Sequence, residues 1–493
     1  MTMNVPHSMD SSGRRKLWLG WFVLCLAVVA VHATSMDRHP PVTQDEVQIV
    51  ELGRAALQPD TDWSMVWNIA EERTAVPLSY VGKVFQEWAY QATQPSHLGT
   101  RITALFWAVL AATAVLGWLQ ARGAPPWAAL ALAFACLTDP MFTDIFRAGR
   151  IDGAAFAACL GACWLIRAAG QVSETRARRV RLVAAGGLLT LSPFLWTSVV
   201  LLFPLVLVEL GHGLIGVAQR GKHGYVSTAL SAGWPFVAAC AGASALLLLP
   251  VWLYAPGLLE GMATLSAVQA RAAAIQSPVY QLFLVYSPLV FCAALLGLLW
   301  RREWPLLIAL AASLWLTYQT MVYPARVIYL LPYLWAIIAG ACQVVARQGL
   351  QPALARVPVY LLGALVAWNA ITVLVLRPLP LWRAEPSDTA SLVYEAYRDT
   401  IGPGPHRVLL EDWSSYYAAR QLGWKVYRAG TPVSLDNYQD FMSTLDYVIV
   451  HRQPLYDTTR ELVREAGYSL IATTDSYTDG KAALEIYRVE KGP

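Results

Sequence analysis

The chain has 493 residues, of which 56% are hydrophobic and only 14% charged, with a formal net charge of +4. Its mean hydropathy is +0.43 and its apolar runs are far longer than a soluble core requires, which excludes an ordinary water-soluble globule. The small positive balance comes mostly from arginines between spans, and no basic stripe calls for nucleic acid.

The first apolar run, Leu17–Thr34, follows Arg14-Arg15-Lys16. A signal peptide begins this way, but no small-residue cleavage site is evident and many spans come later, so the run reads as a retained first helix. Further runs cover 102–119, 127–138, 153–169, 182–210, 226–254, 281–300, 305–322, 327–345 and 357–376, most of them near the roughly 20 residues that cross hydrocarbon. The stretch 127–138 is the shortest and starts after Pro125-Pro126.

Two runs are too long for one straight span. Ser192-Pro193 interrupts 182–210, and basic clusters flank it: Arg167, Arg176, Arg178, Arg179 and Arg181 before, Arg220 and Lys222 after. Positive residues stay in the cytoplasm, so two spans lie between these clusters. The run 226–254 is followed by one more span before Arg301-Arg302, which predicts a single crossing bent at Trp234-Pro235. The total is about eleven spans, with a cytoplasmic N-terminus and the C-terminus outside.

This orientation puts Arg147, Arg150 and Arg326 on the outer side, against the positive-inside trend and close to span ends. A guanidinium stays charged at low dielectric and matches phosphate oxygens in a bidentate way, which suits a lipid-linked phosphate. Snorkelling to headgroups, or pairing with Asp144 and Asp152, is the plainer alternative.

Asp45 and Glu46 lie just beyond the first span, in Thr43-Gln44-Asp45-Glu46-Val47. Thr43 and Glu46 fit a capping box, and residues 47–57 have the periodicity of a helix lying on the interface. Asp45 at its exposed start can accept a proton from an acceptor hydroxyl or amine, or bind a divalent cation through oxygen. No set of acids has a spacing that demands a metal, so no cofactor is required and a divalent ion stays open. The outer loop 35–101 is long enough for two short helices, with Trp63, Trp67, Trp88 and Tyr90 suited to the headgroup level. Loop 255–280 is nearly uncharged and long enough to act as a lid.

From Arg377 onward, charged residues and short alternating patterns return. Helices are expected at 387–401, Ser415–Leu422, Asn437–Leu445 and Thr458–Ala466, with strands at Arg407–Glu411, Lys425–Arg428, Tyr447–His451, 469–473 and 484–489. The expected division is thus a membrane part, 1–376, and a soluble α/β domain, 377–493, outside the membrane. No Gly-rich loop follows a strand, which leaves a dinucleotide or P-loop role unsupported. The seven cysteines all fall in apolar runs, so no disulfide framework is available, and Cys159 and Cys163 read as buried packing.

With these residues in hand the chain resembles the GT-C superfamily of integral membrane glycosyltransferases, in particular the lipid A aminoarabinose transferases and protein O-mannosyltransferases. The resemblance rests on Asp45-Glu46 after the first span, Ser96-His97-Leu98-Gly99-Thr100-Arg101-Ile102, Arg147-Ala148-Gly149-Arg150-Ile151-Asp152, and Tyr323-Pro324-Ala325-Arg326-Val327-Ile328-Tyr329. It implies a polyprenyl-phosphate sugar donor, an envelope acceptor (glycolipid, polysaccharide or protein), and inverting transfer at the periplasmic face of a bacterial inner membrane. Under it, Asp45 is the base with Glu46 beside it, Arg147, Arg150 and Arg326 hold the phosphate, and Asp152 supports them. Where many relatives have a His-Pro-Pro-Leu-type segment, this chain reads Ala75-Val76-Pro77-Leu78-Ser79-Tyr80.

Two other classes compete. A transporter would carry polar residues deep within several spans and show internal repeats, and neither is evident. A noncatalytic scaffold would use the outer domain to bind a partner.

Overall fold

The computed structural model describes residues 11–36, 42–57, 79–94, 96–218, 225–254, 303–320, 324–348, 353–383, 389–410, 413–428, 442–452, 457–474 and 484–489. The expected span 281–300, loop 255–280, and most of the expected helix Asn437–Leu445 lie outside them.

Among the described residues, seven helical stretches are long and apolar enough to cross a membrane: Ser12–Ala33, Leu98–Ala121, Asp152–Gln171, Thr197–Ile215, Gly233–Leu253, Arg326–Ala346 and Val359–Arg383. An eighth crossing results if Pro126–Leu137 and Pro140–Arg147, bent by 49° at their junction, count as one. The chain is a multi-pass α-helical membrane protein. The number is below the expected eleven for identifiable reasons. The helix Thr175–Leu195 is present, but Arg176, Arg178, Arg179 and Arg181 fill its first two turns and dilute its hydropathy. Trp304–Thr317 is apolar but short.

In chain order the helices are α1 (Ser11–Ala33), α2 (Gln44–Leu57), α3 (Tyr80–Thr93), α4 (Leu98–Ala121), α5 (Pro126–Leu137), α6 (Pro140–Arg147), α7 (Asp152–Gln171), α8 (Thr175–Leu195), α9 (Phe203–Ala218) and α10 (Tyr225–Tyr254). The helix α7 packs between α4 and α8. Small residues make this close approach possible: Ala108, Ala111 and Ala112 of α4 and Ala154, Ala155, Ala158 and Ala162 of α7 are all buried. Pro193 stays inside α8, and the break expected there comes three residues later, at Trp196. Trp196 has extended backbone, and a 3₁₀ turn, Thr197–Leu202, leads into α9. The long run 226–254 is one helix with Pro235 and Pro250 inside it.

The membrane part continues through α11 (Trp304–Thr320), a 3₁₀ turn at Pro324–Leu330, α12 (Leu331–Gln348) and α13 (Ala353–Ile371). Charged side chains gather at the two ends of this bundle. At one end Glu209 accepts from both Arg122 and Arg167, and Arg122 also reaches Glu303 at 2.6 Å. At the other end lie Asp45, Glu46, Arg101, Arg147, Arg150 and Asp152.

After α14 (Pro378–Arg383) and α15 (Thr389–Thr400) come β1 (Arg407–Leu410), α16 (Tyr416–Gln421), β2 (Lys425–Arg428), β3 (Tyr447–His451), α17 (Asp457–Glu465), β4 (Tyr468–Thr473) and β5 (Leu484–Val489). They form a five-stranded sheet in the order β2-β1-β3-β5-β4. The strand β1 is parallel to β2 and β3, while β5 runs antiparallel to both β3 and β4. Alternation sorts the strand side chains to two faces, so Val408, Leu410, Ile449 and Ile486 form one core and Leu409, Val448, Val450 and Tyr487 another. The first core takes in Val47 and Val50 of α2 and Tyr90 of α3. The sheet domain thereby rests on the two short helices that follow α1.

Candidate active site

Two neighbouring acids on one helix point about 100° apart, and the structure gives them different surroundings. Glu46 is fully buried, whereas the Asp45 side chain is 34% exposed. The Glu46 N–H donates to Thr43 Oγ1 at 3.4 Å, which is half of a capping box. Its carboxylate does not return to the Thr43 backbone. Instead it receives Arg101 Nε at 3.2 Å and Nη2 at 2.9 Å, with Thr100 Oγ1 donating at 3.1 Å. Arg101 also donates to the Met36 carbonyl, so α1, α2 and α4 meet on one buried guanidinium.

Asp45 forms an ion pair with Arg150 from the turn before α7. The same guanidinium donates through Nε to Asp152 Oδ2 at 3.0 Å, and Asp152 Oδ1 accepts from the Tyr329 hydroxyl at 2.9 Å. The Arg150 guanidinium also stands 5.3 Å from the centre of the Trp196 ring, within cation–π range. Trp196 marks the break between α8 and α9, and its indole N–H finds no partner among the described residues. Arg326, half-buried at the start of the 3₁₀ turn, lies within electrostatic reach of Arg150, Asp152 and Tyr329.

Gly149 separates the fates of the two nearby arginines. It has φ +66°, and a Cβ there would meet Glu46 Cγ and Thr100 Oγ1, both at 3.2 Å. Only glycine adopts this conformation without strain. The turn sends Arg147 toward α1, where it reaches His32 Nδ1 at 2.9 Å, Ser35 Oγ at 3.0 Å and the Ser35 carbonyl at 2.8 Å. Arg150 turns the other way, toward Asp45. Of the residues singled out in the sequence, Asp45, Arg150, Asp152 and Arg326 therefore share one location, while Glu46 and Arg147 are engaged with their neighbours.

Lys83 and Trp196 were not singled out, because nothing local marks them, and Tyr329 entered only as the last residue of the Tyr323–Tyr329 segment, without a role. Lys83 lies on α3 beside Gly82, where a Cβ would touch Ile151 Cδ1 and the Leu195 carbonyl. Burial pushes its ammonium down from 10.5 to about 7. The unfolded chain then binds this proton more tightly than the folded one between those two values, so folding gains stability as pH rises through that window. Replacing Lys83 by Met removes the penalty. Thermal unfolding in detergent should show a Tm gain for Lys83→Met that is largest below pH 7 and shrinks toward pH 10, and an equal gain at both would contradict the assignment.

Among the described residues no group of three or more His, Cys, Asp or Glu converges as metal ligands. Asp45 and Asp152 each accept from the Arg150 guanidinium.

No protein-family profile matches the chain, and no curated protein does. Solved structures do. ArnT from Cupriavidus metallidurans in the apo state is 14% identical, with 95% of this chain and 98% of that one covered and a TM-score of 0.50. The mycobacterial arabinofuranosyltransferase AftD is 16% identical with a TM-score of 0.59, and 99% of this chain covers 42% of the AftD chain. At such identities the likeness is one of architecture. The chain has the fold of the GT-C membrane glycosyltransferases.

Proposed function

We propose that this protein is an inverting glycosyltransferase that moves a sugar from a polyprenyl-phosphate donor to an acceptor at the outer face of a bacterial inner membrane. One observation carries the reading. A carboxylate from α2, one-third exposed, and a guanidinium from the turn before α7, 105 residues apart, meet at one end of the bundle, with Arg326 close to the same guanidinium. The fold supports it, since AftD, which has a similar architecture, is an arabinofuranosyltransferase.

In this reading Asp45 takes the proton from the acceptor hydroxyl or amine as that atom attacks the anomeric carbon. Attack comes from the face opposite the phosphate, the bond from the anomeric carbon to the phosphate oxygen breaks, and configuration inverts. The electron pair stays on the phosphate, whose growing charge Arg150 and Arg326 stabilise. Asp152 and Tyr329 hold Arg150 in place from behind, and Trp196 supports its flat face. Glu46 acts through structure, by tying α2 to Arg101. Arg147 acts likewise, by tying α6 to the end of α1. The sheet domain and the site share the periplasmic side in this orientation, and the chain divides after residue 376.

The donor test uses Arg326→Ala, which leaves the Asp45–Arg150–Asp152 chain intact. With polyprenyl-phosphate sugars offered to membranes, its apparent donor KM should rise on the order of tenfold, the loss of one charge-assisted phosphate contact. An unchanged donor KM would remove Arg326 from phosphate binding. Transfer from a nucleotide sugar alone, with no polyprenyl carrier, would overturn the donor class.

A further inference from the structure

The described residues hold a second cluster of buried charges, separate from the Asp45 site, at the seam between α2, α3 and the sheet domain. Arg420 of α16 donates to both oxygens of Glu87 on α3, at 2.9 and 2.6 Å, and lies 3.3 Å from Glu51 on α2. Its side chain is only 11% exposed, with Glu87 and Glu51 at 0% and 2%. The guanidinium sits 4.5 Å above the Tyr90 ring. Glu51 also pairs with Arg54, and Gln91 donates to Glu87 at 2.7 Å. Tyr416 lines the same cavity as Glu51, Arg54 and Arg420, and Tyr417 stacks on both Tyr90 and His97.

Docking of the sheet domain has its own apolar basis and does not require this cluster. Tyr417 stacks on Tyr90 with centroids 5.0 Å apart, and Val47 and Val50 share a core with Val408 and Ile449. What the ion cluster adds is a fixed relation between α2 and α3. The two helices touch backbone to backbone at Gly53, where a Cβ would fall 2.2 Å from the Lys83 carbonyl and 2.8 Å from Glu87 Cβ. Two buried acids face each other across this tight seam, and like charges in such a place repel unless a cation bridges them. Arg54 meets Glu51 from the same helix, but Arg420 is the cation that reaches both acids, and it comes from outside both helices.

We propose that Arg420 is a positioning residue, which locks α2 to α3 from the sheet domain and so holds the Asp45 carboxylate against Arg150. The inference rests on the reading above that Asp45 takes the acceptor proton. The helix α2 has two anchors, Glu46 on Arg101 near its start and Glu51 on Arg420 more than a turn later. One anchor fixes a point and leaves the helix free to swing. Two anchors fix its direction, and with it the side chain of Asp45. Loss of the second anchor leaves Glu87 buried with Gln91 but no cation, beside Glu51 that keeps only Arg54, and drives α2 away from α3.

Hydrogen exchange on the full-length protein in detergent tests this without any substrate. In Arg420→Met, which keeps an apolar stem against Tyr90, the amides of α2 should exchange on the order of tenfold faster or more, while β1, β3 and β5 keep their protection. Adding Glu87→Gln removes the stranded charge and should restore at least half of the lost protection. Unchanged α2 exchange in Arg420→Met would overturn the proposal. So would loosening of α2 together with the sheet that Glu87→Gln does not reverse, since that describes a merely structural contact. A failure here leaves the glycosyltransferase reading standing, and loss of that reading through Asp45→Asn would leave α2 exchange as stated.

Discussion

Asp45→Asn should lower sugar transfer about a thousandfold, within the range that a positioned general base contributes, with the protein present in membranes at its normal level. The substitution keeps the shape of the side chain and a hydrogen-bonding oxygen for Arg150. It removes the negative charge and the capacity to take a proton. The Asp45 side chain is one-third exposed and Arg150 keeps Asp152 as its buried partner, so folding should change by less than about 1 kcal/mol. Transfer assayed in membranes from cells carrying each form separates the two effects. Undiminished transfer by the Asn variant would remove Asp45 from the mechanism.

Arg101→Met should have the largest effect on folding of any single change at this end of the molecule. Arg101 and Glu46 are both fully buried and bonded at two points. Removal of the cation leaves Glu46 as an uncompensated charge in a dry site, a loss of about 3–5 kcal/mol. The Met36 carbonyl also loses its donor, which frees the end of α1. The double variant Arg101→Met with Glu46→Met should be markedly more stable than Arg101→Met alone, because no charge is stranded. Thermal unfolding in detergent reads both, and a double variant as unstable as the single one would show that the ion pair is not the cause.

The overall architecture was legible because it is written in local signals. Long apolar runs mark spans, and the strands Lys425–Arg428 and Tyr447–His451 begin and end where alternation predicts. Span counting was less secure where arginines enter a helix, as in α8, or where prolines divide one, as at Pro126 and Pro140. The candidate site was legible only in part. Asp45 and Glu46 stood out as a pair, but adjacent helical positions face different ways, and only the packing of α2 shows which one is buried. Arg147 and Arg150 likewise looked equivalent until the positive φ of Gly149 sent them to opposite sides.

Pairings across long stretches of chain leave no local trace. Arg101 lies 55 residues from Glu46, and Arg420 lies 333 from Glu87. Arg420 has a neighbourhood like that of many other arginines, and the Ser96–Ile102 segment that holds Arg101 does not name its partner. Trp196 had no periodicity to mark it either, since it sits where one helix stops and the next has yet to start.

In the proposed mechanism Asp45 and a lipid-linked phosphate share Arg150, and the affinity of Asp45→Asn for undecaprenyl phosphate shows whether they do. If the carboxylate and the phosphate compete for that guanidinium, the Asn variant should bind the lipid tighter than the natural protein, by about fivefold for roughly 1 kcal/mol of relieved competition. Affinity that is unchanged or weaker would place the phosphate elsewhere and rule out a shared Arg150.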